Sequence, residues 1–312
     1  VTAWSQSDLL KKKGSRESRF VDYNSDAAKG LILDATAERG VDKEDGAVSR
    51  ETAFSMVYNA EGIFLYIEGE EPMIQEVRDS LADPASPARR ESMEIFLAPG
   101  LFEVPYYQIM TRPYTGETDY FDWGSPHRNF RSLRPHVRIE SLPLEKGFGT
   151  FVFIPWEALY ERLPLEGDTW RFSIIRWMPF GKAGGVTWGG QVHDTGNFGL
   201  VEIPKPTAQQ KLALQTRTLR TAWFQFLADS RAAAATWEDA QTGDPVFYEE
   251  RLKPEIERLS QVGEALGPPD QWGKAAVDAA WDLVPIWMEF DYEVQSLRAD
   301  FLLQKSLAGK NP

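Results

Sequence analysis

Residues 148–203 read FGTFVFIPWEALYERLPLEGDTWRFSIIRWMPFGKAGGVTWGGQVHDTGNFGLVEI, and this block decides the fold. Gly149 to Ile154 and Thr169 to Trp177 are rich in Phe, Trp, Ile and Val and are bounded by Pro and Gly, the composition and punctuation of strands. In the second run Trp170, Phe172 and Ile174 alternate, so they share the face turned to a core, and Arg176 continues that face toward its end. Pro155-Trp156-Glu157 opens a short helix toward Leu163, because proline suits a first helical turn. Phe198 to Ile203 reads as a closing strand, with Trp188 in the glycine-rich stretch before it.

Upstream the same grammar repeats. Phe54, Met56 and Tyr58 alternate, Asn59-Ala60-Glu61-Gly62 turns the chain, and Ile63 to Glu68 returns, which is a hairpin pattern. Further strands are expected at Ser92 to Leu97, Tyr106 to Thr111 and Val137 to Ser141, with a shorter piece near Gly30 to Leu33 and a helical turn at Met73 to Leu81. Many short strands separated by turn residues predict an antiparallel, jelly-roll-like β-sandwich over residues 1–204 rather than alternating strand and helix.

Pro204-Lys205-Pro206 ends the strand signals, since proline removes backbone donors. Beyond it the pattern is helical: Thr207 to about Ala240, then from Asp244-Pro245 to Leu266, then from Pro268-Pro269-Asp270 past Pro285 to about Leu307. Pro254 and Pro285 are expected to kink their helices. The second domain, 207–307, is thus an α-helical region of about three helices, in which Trp223, Trp272, Trp281 and Trp287 serve packing.

Composition excludes several functions. The chain has no cysteine, which removes disulfides, thiolate metal sites, cysteine nucleophiles and c-type haem attachment. Residues 1–204 carry 22 basic and 31 acidic side chains and residues 205–312 carry 12 and 16, so neither part offers the basic surface that nucleic acid requires. No apolar run approaches the roughly 20 residues of a membrane span. The chain begins at Val1 and shows no leader, which reads as a processed piece of an exported protein, secreted, periplasmic or at the cell surface. There is no G-x-S-x-G, HExxH or P-loop, and His127, His136 and His193 lack metal-site spacing.

Several pieces in order resemble the family-9 carbohydrate-binding modules and their wider superfamily. They are TAFSMVYNAEGIFLYIEGEE at 52–71, ESMEIFLAP at 91–99, Tyr106 to Met110, FIPWEAL at 153–159, GDTWRF at 167–172 with Arg176, and Trp188 followed by NFGL at 197–200. The resemblance covers about residues 50–204 and leaves the helical part aside. It implies a sandwich that holds sugars, often chain ends, between aromatic rings with polar hydrogen bonds around them, and frequently a structural calcium ion. Trp188 matches one ring of that clamp. The loop at Glu68 to Gln75 has no aromatic for the second, so Tyr106, Tyr114, Tyr120 or Trp123 stands in from another loop.

Sugar recognition needs flat apolar faces for C–H groups and charged or amide partners for hydroxyls, because a buried hydroxyl without a partner costs roughly 1–3 kcal/mol. Two stretches hold that mixture: Tyr106 to Trp123, with Gln108, Arg112, Glu117, Asp119 and Asp122, and Arg176-Trp177 through Trp188 and Gln191. The expected ligand-binding residues are Trp188, Trp177, Arg176, Arg112, Gln108, Trp123, Tyr106 and Glu94, with Glu94 the natural partner of Arg176. Core packing is the reading for Trp156 and Trp170 and an open alternative for Trp188; internal ion pairing is open for Arg112 and Arg176. Two other functions stay open. One is a glycoside hydrolase or lyase using two of the carboxylates Glu91, Glu94, Glu117, Asp119 and Asp122. The other is a haem-b redox subunit, by resemblance to a relative of this fold, with Met110, Met178 or His193 as ligand. The partners expected are an oligosaccharide or polysaccharide, and a catalytic domain or protein met through the helical region.

Overall fold

The computed structural model describes residues 21–22, 32–33, 52–58, 61–99, 106–123, 137–162, 169–180, 184–188, 192–202, 207–241 and 243–308. The chain divides into two compact units, Val1–Lys205 and Pro206–Pro312.

The first unit contains the strands β1 (Val21–Asp22), β2 (Ile32–Leu33), β3 (Thr52–Tyr58), β4 (Gly62–Glu70), β5 (Ser92–Ala98), β6 (Tyr106–Thr111), β7 (Thr118–Trp123), β8 (Arg138–Leu144), β9 (Gly147–Pro155), β10 (Thr169–Met178), β11 (Gly184–Trp188) and β12 (Gly199–Glu202). They form two sheets. The larger runs β1-β11-β10-β5-β6-β7, with β12 on β10 and β2 on β12; the smaller runs β3-β4-β9-β8. The pairings are antiparallel apart from β2 with β12. Strand β10 is the hub. One of its edges takes β5 from Arg171 to Trp177; the other is divided, Thr169–Phe172 pairing with β12 and Ile174–Met178 with β11.

Alternation puts Trp170, Phe172, Ile174 and Arg176 on the face that meets the smaller sheet. Phe54 of β3 closes the seam, its ring centroid 5.8 Å from that of Phe172 and 5.4 Å from that of Trp188. Trp156, in the 3₁₀ helix Trp156–Arg162 that follows β9, meets Trp170 edge-on at 5.8 Å, so both serve the core as expected. Three strands escape the sequence reading, the first being the two-residue Val21–Asp22. Thr118–Trp123 carries too many polar residues to show alternation, and the Gly-Gly opening of Gly184–Trp188 reads as loop.

The second unit begins at a capping box. The Thr207 hydroxyl accepts from the Gln210 amide and the Gln210 side chain accepts from the Thr207 amide, satisfying two donors that open the helix Ala208–Trp237. Pro254 cannot bond back along a normal α turn, and the chain meets it with a wider π turn at Tyr248–Leu252 before Lys253–Ala265. The third stretch is not one kinked helix. It is divided into Lys274–Ala280, a 3₁₀ turn at Trp281–Leu283, Val284–Met288 and Phe290–Ala308, because Pro285 fits only the first turn of a new segment. Trp223 anchors the core of this unit against Trp287 at 5.1 Å, Phe226 at 5.6 Å and Trp272 at 6.5 Å. Arg298 ion-pairs with Asp244 at 2.6 Å and lies 5.1–5.4 Å from the rings of Trp237, Phe247 and Phe301, so its charge is used inside the unit. Among the described residues no helix is long and apolar enough to cross a membrane.

Candidate functional site

The second face of the larger sheet collects the side chains that suit recognition. On β10 the residues between the core positions are Arg171, Ser173, Ile175 and Trp177. The register with β5 sets Ser173 beside Phe96, Ile175 beside Glu94 and Trp177 beside Ser92. The next register sets Phe96 beside Gln108 on β6. Paired residues share a face, so Glu94, Phe96, Tyr106, Gln108, Ile175 and Trp177 stand together, turned from the sandwich core. Phe96, Ala98, Tyr106, Ile175 and Phe198 form an apolar floor, against which Trp177 and Val192 pack while half-buried.

A polar cluster rises from that floor. Gln108 Nε2 donates to Glu94 Oε2 at 3.0 Å, and the Trp177 indole N–H donates to the same carboxylate. The Tyr106 hydroxyl meets His193 Nδ1 at 2.6 Å. Burial pushes the Tyr106 phenol up to about 12, so it stays protonated at neutral pH. His193 is exposed and has φ of 60°, a left-handed conformation uncommon outside glycine, and its ring stands edge-on to Phe96 at 5.8 Å. The segment after it is pinned: Arg171 Nη1 donates to the carbonyls of Thr195 at 2.9 Å and Gly196 at 2.7 Å, and Asn197 Nδ2 donates to Asp194 Oδ2 at 2.7 Å.

Burial raises the Glu94 carboxyl above its ordinary value, and the hydrogen bonds from Trp177 and Gln108 only partly oppose the rise. A carboxyl raised by folding holds its proton more readily folded than unfolded, so its ionisation costs stability as pH climbs from the ordinary carboxylate range through the raised value. Glu94→Gln keeps one carbonyl acceptor at this junction and removes that charge. The variant should therefore be more stable than wild type at pH 7, and its advantage should vanish as pH falls below the ordinary glutamate range. Urea midpoints at the two pH values measure this, and an advantage that persists in acid would contradict it.

Of the eight residues expected in the site, Glu94, Gln108, Tyr106 and Trp177 come together on this face. Tyr106 is buried and contributes through its hydroxyl rather than an open ring. Trp188 does not lie open in a loop. It ends β11, is 2% exposed, and is wedged between Phe54 and Phe172, so it has no face to offer a sugar. Arg176 is 1% exposed and points into the sandwich, where its partner is Glu71 and not Glu94. Strand parity explains the correction: Glu94 pairs with Ile175 and so stands on the opposite face from Arg176. Arg112 sits at the turn between β6 and β7 and bonds Glu117 at 3.0 Å, both at the surface. Trp123 belongs to β7 opposite Tyr106, and its side chain, like those of Tyr120 and Asp122, lies outside the described residues, as does Gln191. Tyr114, a candidate second ring, packs edge-on against Phe148 at 5.5 Å.

Sequence reasoning missed Phe96, Phe198 and His193 as parts of this face. The Asp-Thr-Gly-Asn run after His193 marks a tight turn, but only pairing shows which face it overlies. Among the carboxylates considered for hydrolysis, Glu91 is buried and Glu117 bonds Arg112; Asp119 shares a row of this face with Glu94, one strand between them. Among the described residues no group of three or more acidic or histidine side chains is placed to hold a metal ion, so the calcium implied by the resemblance finds no such cluster there.

No family profile matches the chain, and no curated protein matches it. Solved structures do. The chain is similar to a family-9 carbohydrate-binding module from Caldicellulosiruptor kristjanssonii in complex with glucose, at 11% identity over 62% of this chain and 95% of that one, with a TM-score of 0.39. It is similar to the same organism's module in complex with cellotriose at 10% identity, over 62% and 93% of the two chains, with a TM-score of 0.39. A Bacteroides uniformis protein for which carbohydrate binding has been proposed is similar at 13% identity, over 56% and 85%, with a TM-score of 0.40.

Proposed function

We propose that the face built by β10, β5 and β6 binds carbohydrate without acting on it, with Trp177 as the stacking ring, Glu94 as a partner for sugar hydroxyls and the buried Gln108 as the amide that holds that carboxylate. The observation that carries the reading is the junction at Glu94. A half-buried indole and an amide both donate to one carboxylate, so an apolar ring and two hydrogen-bonding side chains are held side by side. Sites for small polar ligands have this composition, mostly apolar with a few placed polar groups. The sequence resemblance over residues 50–204 points the same way.

The ligand class proposed is an oligosaccharide or a polysaccharide chain end, met in an exported protein. The helical unit is proposed to join this module to a partner. Calorimetric titration with cellotriose and the trisaccharides of xylose, mannose and galactose tests the reading. At least one should bind, and Trp177→Ala should weaken that binding tenfold or more, about 1.4 kcal/mol, with the fold intact. Silence across the panel, or Trp177→Ala binding like wild type, sinks it. Release of products from the bound sugar would replace it with a hydrolase.

A further inference from the structure

Two glycines open β11 for different reasons. Gly184 has φ of 79°, the left-handed region that favours glycine. Gly185 is demanded by a neighbour instead. A Cβ there would lie 2.7 Å from Cε3 and 2.8 Å from Cζ3 of Trp177, well inside the roughly 3.5–4.0 Å at which carbon atoms rest. Gly185 is the cross-strand partner of Trp177, so the six-membered ring of the indole lies over its bare Cα. The indole nitrogen, on the edge away from Cε3, donates to Glu94 on β5, the strand on the other side of β10. Neighbouring strands are about 4.8 Å apart. The ring therefore leans over β11, whereas strand side chains ordinarily stand roughly perpendicular to the sheet.

We propose that Gly185 is the positioning residue of the carbohydrate site: its missing side chain lets Trp177 lie flat, with one indole face on the sheet and the other turned outward as the stacking surface. The inference rests on the sugar-binding reading above. Any side chain at 185 lifts the six-membered ring, pulls the N–H from Glu94 and tilts the outward face. The left-handed requirement belongs to Gly184, so alanine at 185 meets no backbone obstacle and its effect runs through the ring.

A double-mutant cycle on sugar affinity tests this, using whichever of the four trisaccharides binds wild type most tightly. Gly185→Ala should lose at least tenfold in affinity and fall within twofold of Trp177→Ala, and adding it to Trp177→Ala should change affinity less than twofold. The indole N–H resonance of Trp177, assigned by its absence in Trp177→Ala, should shift in Gly185→Ala. If Gly185→Ala binds like wild type while Trp177→Ala does not, this inference is wrong and the sugar reading survives. Trp177→Ala binding like wild type overturns both. Should Gly185→Ala alone fail to fold, the doubly substituted protein decides: folding once the indole is gone supports the inference, and failure there too places the strain elsewhere and overturns it.

Discussion

Replacing Arg176 by methionine is expected to lower the stability of the sandwich by about 3–5 kcal/mol, the usual cost of removing one partner from a buried ion pair. Arg176 is fully enclosed. Its Nη2 lies 3.7 Å from Glu71 Oε2 and donates to the Glu70 carbonyl at 3.0 Å, its Nη1 donates to Thr52 Oγ1 at 3.1 Å, and its guanidinium lies 4.9 Å from the Phe148 ring centroid. Glu71 is 0% exposed, so the variant leaves a carboxylate in the interior with its cation gone. All four contacts come from the smaller sheet or the ends of its strands, so the arginine ties one sheet to the other. At roughly 2–4 °C per kcal/mol for a unit of this size, the melting temperature of the sandwich should fall by about 10 °C or more in calorimetry. Arg176→Met combined with Glu71→Leu should recover part of the loss, since it removes the stranded charge. A midpoint within a degree of wild type would contradict the burial of this pair.

The second large effect separates two tryptophans that the sequence reading set side by side. Trp188→Ala is expected to cost about 3–5 kcal/mol of sandwich stability, the range for emptying a large aromatic site from a packed core. The ring leaves a cavity between Phe54 and Phe172, whose centroids lie 5.4 and 5.8 Å from it. At a temperature where the variant is fully folded, its sugar affinity should stay within twofold of wild type. Trp177→Ala should do the reverse and lose affinity at little cost in stability, because its ring is half-buried on the outer face. Denaturation midpoints and titrations on both variants give the comparison; a selective loss of binding in Trp188→Ala would return that ring to the site.

The two tryptophans also show where sequence reading reaches its limit. Strict alternation along β10 identified Trp170, Phe172 and Ile174 as core and carried Arg176 with them, because a strand turns successive side chains to opposite faces whatever surrounds it. β11 hides from the same rule because Gly184-Gly185 reads as loop; paired against β10, Val186 and Trp188 fall inward by the same parity. Glu94 enters the sequence reading as the natural partner of Arg176, and it stands on the candidate face instead. Its partner was misjudged because pairing register is a relation between strands, and a shift of one residue moves a side chain to the other face.

What the sequence determined by itself is everything governed by local rules. Those are the strand-rich first unit, the proline boundary near Pro204 to Pro206, the helical second unit with its start at Thr207, and the exclusion of thiol chemistry by the absence of cysteine. Backbone periodicity, the missing donor of proline and capping chemistry act within a few residues, so they can be read in order along the chain. The tertiary structure alone decided which tryptophan is sealed and which is half-buried on the outer face, which acid neutralises Arg176, and which of the expected residues share a face. These depend on contacts between residues distant in sequence, 106 positions in the case of Arg176 and Glu70. Burial, and with it the raised carboxyl of Glu94, is a property of the neighbours that folding brings.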